Sequence, residues 1–481
     1  MVDVAIIGCG VIGAAAAYHL ARRAVDVLIL EKENDVSMGT SRANSGILHA
    51  GYGARPGTLM AEMNVRGVAL AREICDALNV AYRQTGSLVL AFDDADLEQI
   101  HGLYRDGVAN GVPGLEILDG GQVLAMEPNL SPQVRAALYA PSAAVVSPWE
   151  YTLAMAEDAV GNGARLELET QVTGLARIAS GGWRIHTSRG DFEARFVINA
   201  AGVQADKVHE MAAPATFRTT PCRGEYYLLD KSEGGTVQRV IFQCPTRAGK
   251  GVLVAPTVHG NLIVGPNAED IPDGEDTATT AQGLSYVAHA ARRSVPALNL
   301  RASIRNFAGV RANTDGGDFI MDWAAPGLLD LAGMKSPGLS AAAAVGERAA
   351  EILRQAGLNM TERVHPTVRK KRLRFRELTA PQKEELIRHD PAYGRVICRC
   401  ETVTEGEIIA ACHAPIPPRS IDGVKRRTNA GLGRCQGGFC GPRVMEILGR
   451  ELGLSPLEIP QDRAGSFLLT GRTKQGGGRC E

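Results

Sequence analysis

Four things are missing from this sequence of 481 residues. There is no charge excess: the formal net charge is −1, which excludes the basic footprint of a nucleic-acid binder. No apolar run approaches the ~18 residues of a membrane span. The first residues, "VDVAIIG", enter a strand pattern with no basic n-region and no cleavage site, so no signal peptide is expected. No internal repeat is visible. The composition is otherwise ordinary, 45% hydrophobic and 22% charged, enough apolar material for a real core in two to four domains at roughly 100–200 residues each. Ten cysteines without a secretion signal point to a reducing cytosol, so the chain is expected to be cytoplasmic. Cys9, Cys75, Cys222, Cys244, Cys412 and Cys480 are scattered and read as small buried or idle thiols.

What is present begins at once. "VDVAIIGCGVIGAAAAYHLARRAVDVLILEKE" reads as strand, turn, helix and strand. Val4 to Ile7 is the first strand, Ala14 to Arg22 the helix and Val27 to Leu30 the second strand. Gly8, Gly10 and Gly13 form a G-x-G-x-x-G turn: the first glycine turns tightly, the second lets a pyrophosphate approach, the third lets helix and strand pack. Val11 and Ile12 belong to the same turn, and the helix N-terminus that follows offers free N–H groups and a positive dipole end to phosphate. Glu31 ends the second strand, suited to ribose hydroxyls and repelling a 2′-phosphate, with Lys32 beside it. The unit as a whole predicts dinucleotide binding.

Two later stretches supply further strand-to-loop turns. "ARFVINAAG" runs into Ala200, Ala201 and Gly202. "GLLDLAGMKSPGLSAAAAVGERAAEIL" is a strand, a loop with Gly333 and a helix opened by Gly338 and Leu339. With the N-terminal unit, these segments resemble the D-amino-acid-oxidase-like flavoproteins, which build one FAD site from such separated pieces. "GTSRANSGILHAGYGARPGTLMAEMNVRG" is similar to the stretch that lays the flavin in place in glycerol-3-phosphate dehydrogenases and L-2-hydroxyglutarate oxidases. The resemblance extends through about residue 365. It implies FAD as cofactor and adds Thr40, Ser41, Arg42, Asn44, Ser45, Gly46 and Val172 to the FAD contacts.

The implied fold class is α/β: a Rossmann-type FAD-binding domain interleaved with an antiparallel β substrate domain, plus a small C-terminal helical [2Fe–2S] domain. Residues 1–365 form the oxidoreductase, with about 1–80, 145–215 and 300–360 in the FAD part. About 81–144 and 216–299 form the substrate part, where "GEYYLLD", "RVIFQCP", "GVLVAPT" and "NLIVGPN" read as antiparallel strands. Residues 366–395 read as a basic linker, either a solvated face or a strip for an acidic partner. The cluster domain spans 396–455 and a tail spans 456–481, its end "TKQGGGRCE" reading as disordered.

Near that end stand Cys398, Cys400, Cys435 and Cys440, spaced C-x-C, 34 residues, C-x₄-C. Four thiolates suit either tetrahedral zinc or an iron–sulfur cluster. Structural zinc favours C-x₂₋₄-C knuckles, so C-x-C leans toward iron, and the cytosolic setting disfavours disulfides. "VTEGEIIAAC" and "PRVMEILGREL" read as short helices around them. The arrangement resembles the [2Fe–2S] domain of the bacterioferritin-associated ferredoxin type, which is fused to the flavin subunit of anaerobic glycerol-3-phosphate dehydrogenase and to related amine and hydroxy-acid dehydrogenases. A flavin takes two electrons at once and a [2Fe–2S] cluster passes them singly, so an electron-accepting partner subunit is expected.

Oxidising a C–H beside a hydroxyl or amine needs a base and an anchor for the substrate's anionic group. His49 in "GILHAGY" is the candidate base, since imidazole titrates near neutral pH. Arg311 in "GVRAN" is the candidate anion clamp and Lys335 in "LAGMKSPG" a second. Tyr52, Arg223, Glu225 and Tyr226 are further candidates for the pocket. The expectation is a dehydrogenase for a small anionic alcohol, glycerol 3-phosphate first. "VRAN" departs from the Arg-Pro-Leu associated with phosphate substrates, and "LHAG" is closer to the hydroxyglutarate group. An L-2-hydroxy acid, an amine or imino acid, and the non-enzyme roles of electron-transfer subunit, assembly subunit or zinc-stabilised binding protein stand as alternatives.

Overall fold

The computed structural model describes residues 1–179, 181–245, 251–364 and 366–473. The chain divides into two compact units, one of Met1–Lys32 and Val36–Lys370, the other of Glu33–Asp35 and Lys371–Glu481.

The first unit is built on two large sheets. Five parallel strands run in the order Arg165–Glu167, Val27–Leu30, Val2–Ile7, Gly190–Asn199 and Leu328–Ala332. Val172–Arg177, Trp183–Thr187 and Ile320–Ala325 extend this sheet by antiparallel pairing. The central strands are continuous apolar runs because helices cover them; Val4, Ala5, Ile6, Val27, Leu28 and Ile29 are fully buried. The first helix, Val11–Ala21, begins three residues before the sequence reading placed it, and is buried nearly all round, as its alanine-rich sequence requires.

The second sheet has nine strands, and Thr219–Leu229 stands second from one end of their order. That strand pairs with Leu262–Gly265 on one side and with Ser303–Thr314 on the other, in one register from Thr219 to Leu228 and with a shift at Leu229. All neighbours are antiparallel except Val240–Gln243, which runs parallel to Ser87–Ala91. Ser303–Thr314, grouped with the FAD part by sequence, therefore belongs to this sheet; its alternating pattern meets Thr219–Leu229 edge to edge. The 40–46 loop is seated on the same strand. A Cβ at Gly309 would lie 1.8 Å from the Ala43 carbonyl oxygen, and Thr40 Oγ1 donates to the Val310 carbonyl at 2.5 Å.

The second unit is small and helical. Val396–Cys398 pairs with Val403–Thr404, and Glu405–Cys412, Ile421–Thr428 and Gly441–Leu452 pack on Val403, Ile408, Val424, Ile447 and Leu448. Thr404 caps its helix by a reciprocal box with Glu407. Ile421–Thr428 has no counterpart in the sequence reading: its "IDGVKRRT" lacks an apolar stripe, and its arginines are buried by pairing instead. Asp35 accepts from both Arg426 and Arg427 at 2.8–3.3 Å.

The stretch taken for a linker is structured. Thr379 and Gln382 box the start of a helix over Ala380–His389. Arg369 is buried against Glu157, Arg372 donates to the Arg427 carbonyl and Arg376 pairs with Glu401. The tail from 474 onward lies outside the described residues.

Candidate functional site

The G-x-G-x-x-G turn is closed by backbone contact. Gly8 has φ +97°, and a Cβ there would stand 2.6 Å from the Ala200 carbonyl oxygen. A Cβ at Gly13 would stand 2.0 Å from the Gly8 carbonyl oxygen. No other residue fits either place. At Gly10 the nearest atom would be Ser41 Oγ at 3.1 Å, and Ser41 Oγ accepts from the Val11 N–H at 2.8 Å. The first free N–H of the helix thus meets a hydroxyl from the 40–46 loop. Glu31 is buried, and one of its carboxylate oxygens accepts from the Cys9 N–H at 2.7 Å. Lys32 is exposed and ion-paired with Glu275.

The 40–46 loop is held by Asn44. Its amide donates to the Thr40 and Ser41 carbonyls and its oxygen accepts from the Gly46 N–H. Gly46 has φ +68° and passes within reach of the Val146 carbonyl. Arg42 lies within hydrogen-bond reach of the Met38 sulfur, and Ser45 is partly exposed. Asn199, at the end of its strand, is fully buried: it donates to Asp330 Oδ1 at 2.7 Å and accepts from the Ala201 N–H at 3.3 Å. Asp330 in turn holds His209 Nδ1 at 2.6 Å. Burial raises the Asp330 carboxyl pKa even though His209 and Asn199 stabilise its charge. This network steadies the Ala200–Gly202 turn. Sequence reasoning missed Asp330 and His209; the signal was an acid inside the apolar strand "LLDLA". Val172 is buried at the start of its strand, and Gly333, Gly338 and Leu339 lie where the Leu328–Ala332 strand passes into the Gly338–Gln355 helix.

His49 is held at both ends. Its N–H donates to Ser340 Oγ at 2.8 Å, Asn64 donates to its carbonyl, and Nε2 is 3.3 Å from Ser336 Oγ. Its ring stacks on Phe242 at 5.4 Å. Phe242 belongs to a buried cluster with Tyr52 and Tyr226. Tyr226 stacks on Phe307 at 4.8 Å and its hydroxyl bonds Arg311; burial raises its pKa and Arg311 opposes the rise. Arg311 donates to the Asn267 carbonyl at 3.1 Å and to Cys222 Sγ at 3.4 Å, and has no carboxylate partner among the described residues. His49 and Arg311 thus each contact a member of one cluster. Lys335 precedes Ser336 in the same loop and likewise has no carboxylate partner among the described residues.

Strand alternation sorts the remaining candidates. Arg223 and Glu225 point to the face opposite Arg311. Arg223 is buried against Asp276 and Glu269, and Glu225 accepts from Thr280 N–H and Oγ. They stiffen the sheet rather than reach the pocket. Cys222, Gly224 and Tyr226 share Arg311's face. Tyr52 is packed, its hydroxyl 3.3 Å from Ser87 Oγ and its pKa pushed up to about 12 by burial.

The four cysteines of the second unit approach in two pairs. Cys400 Sγ and Cys435 Sγ are 3.8 Å apart. Two sulfurs on one tetrahedral metal with ~2.3 Å bonds lie about 3.8 Å apart. Cys398 and Cys440 hydrogen-bond each other; that bond holds the Cys398 thiol down at about 6 and drives Cys440 up. The Phe439 and Gly437 N–H groups lower Cys435. A Cβ at Gly433 would lie 2.2 Å from Cys400 Cβ, so only glycine lets the two segments close. No three ligand groups converge on one point among the described residues. Two pairs of thiolates suit a two-iron cluster, which takes two on each iron. The nine cysteines described are all free, and no helix among the described residues is long and apolar enough to cross a membrane.

Comparison with known proteins shows the family of each unit. Residues 3–352 match the family model "FAD dependent oxidoreductase" and residues 396–450 the "BFD-like [2Fe-2S] binding domain". A glycerol 3-phosphate dehydrogenase of Caloramator mitchellensis is 47% identical over 98% of this chain and 99% of its own length. The mitochondrial L-2-hydroxyglutarate dehydrogenase of Caenorhabditis elegans is 30% identical over 55% of this chain and 63% of its own. Among solved structures, the dithionite-reduced L-α-glycerophosphate oxidase of Mycoplasma pneumoniae with FAD bound superposes with a TM-score of 0.71, at 30% identity over 76% of this chain and 97% of that one.

Proposed function

The chain belongs to the FAD-dependent oxidoreductase family and carries a C-terminal BFD-like [2Fe–2S] domain, and from that premise we propose that it oxidises sn-glycerol 3-phosphate at C2, in the cytosol, and hands the electrons to a partner protein. The observation that carries this reading is the Arg311 guanidinium, without a carboxylate partner among the described residues, on the cluster that His49 also reaches. A relative that matches this chain over nearly its whole length is named for that substrate, which supports the phosphate reading over the hydroxy acid.

FAD supplies the two-electron acceptor when bound, and the cluster supplies the one-electron outlet. The protein's own residues do the rest. Gly8, Gly10, Val11, Ile12 and Gly13 receive the pyrophosphate at the helix N-terminus. Glu31 takes the ribose hydroxyls, and the 40–46 loop with Ala200–Gly202, Gly333, Gly338 and Leu339 walls the remainder. Arg311, joined by Lys335, grips the substrate phosphate. His49, whose ring lies on Phe242 and whose backbone is held by Ser340 and Asn64, takes the C2 hydroxyl proton. Cys398, Cys400, Cys435 and Cys440 ligate the cluster.

An anaerobic absorbance titration tests the reading. Prompt bleaching of the flavin band by sn-glycerol 3-phosphate is the expected result. Bleaching by L-2-hydroxyglutarate or proline alone overturns the phosphate assignment and leaves the flavin-to-cluster chemistry in place.

A further inference from the structure

The two cysteine pairs differ in exposure. Cys398 and Cys440 are 1% and 2% exposed, whereas Cys400 and Cys435 are at the surface. The segments that carry the exposed pair also carry exposed apolar side chains. Phe439 is 54% exposed and Val396 43%. The Arg399 guanidinium lies over the Phe439 ring at 4.5 Å. Arg399 precedes Cys400 and Phe439 follows Cys435 by four residues, so guanidinium and ring make an apolar and cationic patch on the two segments that carry the outer sulfurs.

Charge sets the sign of what covers it. The two cysteine-bearing segments, 395–400 and 434–443, hold Arg395, Arg399, Arg434 and Arg443 and no acidic residue. Arg395 is paired with Glu405, and Arg443 with Glu446. Arg399 has no carboxylate partner among the described residues; its only contact of note is the Phe439 ring. An arginine parked on an aromatic face, in water, keeps its charge and its five donors available. The arginines of the 366–395 stretch are not comparable, since Arg369, Arg372 and Arg376 already have partners within their own units.

We propose that the Cys400/Cys435 face is the electron-exit surface, and that Phe439 and Arg399 dock an acidic one-electron carrier protein. This rests on the proposed function in taking the cluster as the outlet. The acidic surface of the carrier meets Arg399 and its neighbours, and Phe439 desolvates the contact centre. Each encounter moves one electron: the protein is oxidised by one and the carrier reduced by one. Two encounters discharge one substrate oxidation. Such contacts are small and short-lived, with charge governing the encounter rate.

The test uses the full-length protein with its cluster, and an acidic plant-type ferredoxin as the probe carrier, with basic cytochrome c as the opposite-charge control. Binding of the oxidised probes is measured by calorimetry at low ionic strength. One-electron transfer is then measured after chemical reduction of the protein with dithionite and removal of the excess, so that no substrate is needed. Wild type is expected to bind the ferredoxin and lose affinity with salt. Arg399→Glu is expected to weaken binding at least about tenfold and to slow transfer in proportion. Phe439→Ser is expected to weaken binding with less change in the salt dependence. Arg292→Glu, an exposed site in the other unit, is the control for net charge and should change neither. Cluster absorbance of each variant confirms that the domain is intact. Equal affinity for cytochrome c, or unchanged ferredoxin binding in both Arg399→Glu and Phe439→Ser, overturns the proposal. Failure of the substrate assignment instead appears only in the flavin titration and leaves these readings untouched.

Discussion

Gly224 offers a sharp test of the anion clamp, because its hydrogen is all that separates it from Arg311. A Cβ there would lie 2.7 Å from Arg311 Nη2, 3.2 Å from its Cζ and 2.8 Å from Pro266 Cβ. The Pro266 ring is fixed to backbone, so in Gly224→Ala the guanidinium must give way. It then loses its placement on the Asn267 carbonyl and Cys222 Sγ. A hydrogen bond to a charged group contributes about 1.5–3 kcal/mol. At 1.4 kcal/mol per tenfold, a displaced clamp should raise KM for sn-glycerol 3-phosphate by about 10- to 100-fold. If the clamp binds substrate and transition state alike, kcat stays near wild type. The assay is steady-state reduction of a dye acceptor, with the flavin band confirming a loaded enzyme. Arg311→Met should act in the same direction and more strongly. The decisive sample is the double variant. If Gly224 acts through Arg311, adding Gly224→Ala to Arg311→Met changes KM little. A further 10-fold rise in that background would refute the argument, as would wild-type KM in Gly224→Ala alone.

Three other outcomes follow from the same geometry. Gly13→Ala drives a methyl to 2.0 Å from the Gly8 carbonyl oxygen, so the variant should purify without the flavin band while retaining cluster absorbance. Cys398→Ser should abolish the cluster's electron paramagnetic signal yet leave flavin bleaching by substrate, and, being buried in the small core, should cost more thermal stability than Cys400→Ser. Asp35→Asn should destabilise the second unit by about 3–5 kcal/mol in urea titrations, since it leaves Arg426 and Arg427 buried with less charge to face. Burial alone would raise the Asp35 carboxyl, but Arg427 and Arg426 hold it well below the usual carboxylate range. A depressed folded pKa means stability that is present above about pH 4 and lost as pH falls toward the folded value, so wild type should weaken with acid and Asp35→Asn should not share that part of the decline.

Much of this was legible before any coordinates because the motifs are local. The strands and helix of the first thirty residues follow from apolar runs and three glycines whose spacing has one mechanical use. The cysteines are legible for a similar reason: C-x-C and C-x₄-C each bring two sulfurs near each other along the chain. The structure pairs them the other way, Cys400 with Cys435 and Cys398 with Cys440, because Gly433 lets two distant segments close. No spacing rule contains that.

What was not legible is long-range, and it divides by face rather than by motif. Arg223, Glu225 and Tyr226 look equally eligible in "CRGEYYLL", and alternation alone says only that Tyr226 opposes the other two. Which set meets the pocket depends on the strand opposite. Ser303–Thr314 places Arg311 against Cys222, and the register then gives Gly224 and Tyr226 to the clamp and leaves Arg223 and Glu225 to Asp276, Glu269 and Thr280. A one-residue slip would bury the Arg311 guanidinium among those acids and neutralise it. The Ala43 carbonyl against Gly309 and the Thr40 bond to Val310 lock that register from the cofactor side. The 40–46 loop, proposed to wall the flavin site, therefore also fixes where the proposed clamp Arg311 stands, and variants that loosen it, such as Thr40→Val, should raise KM for the substrate together with the Kd for FAD rather than either alone.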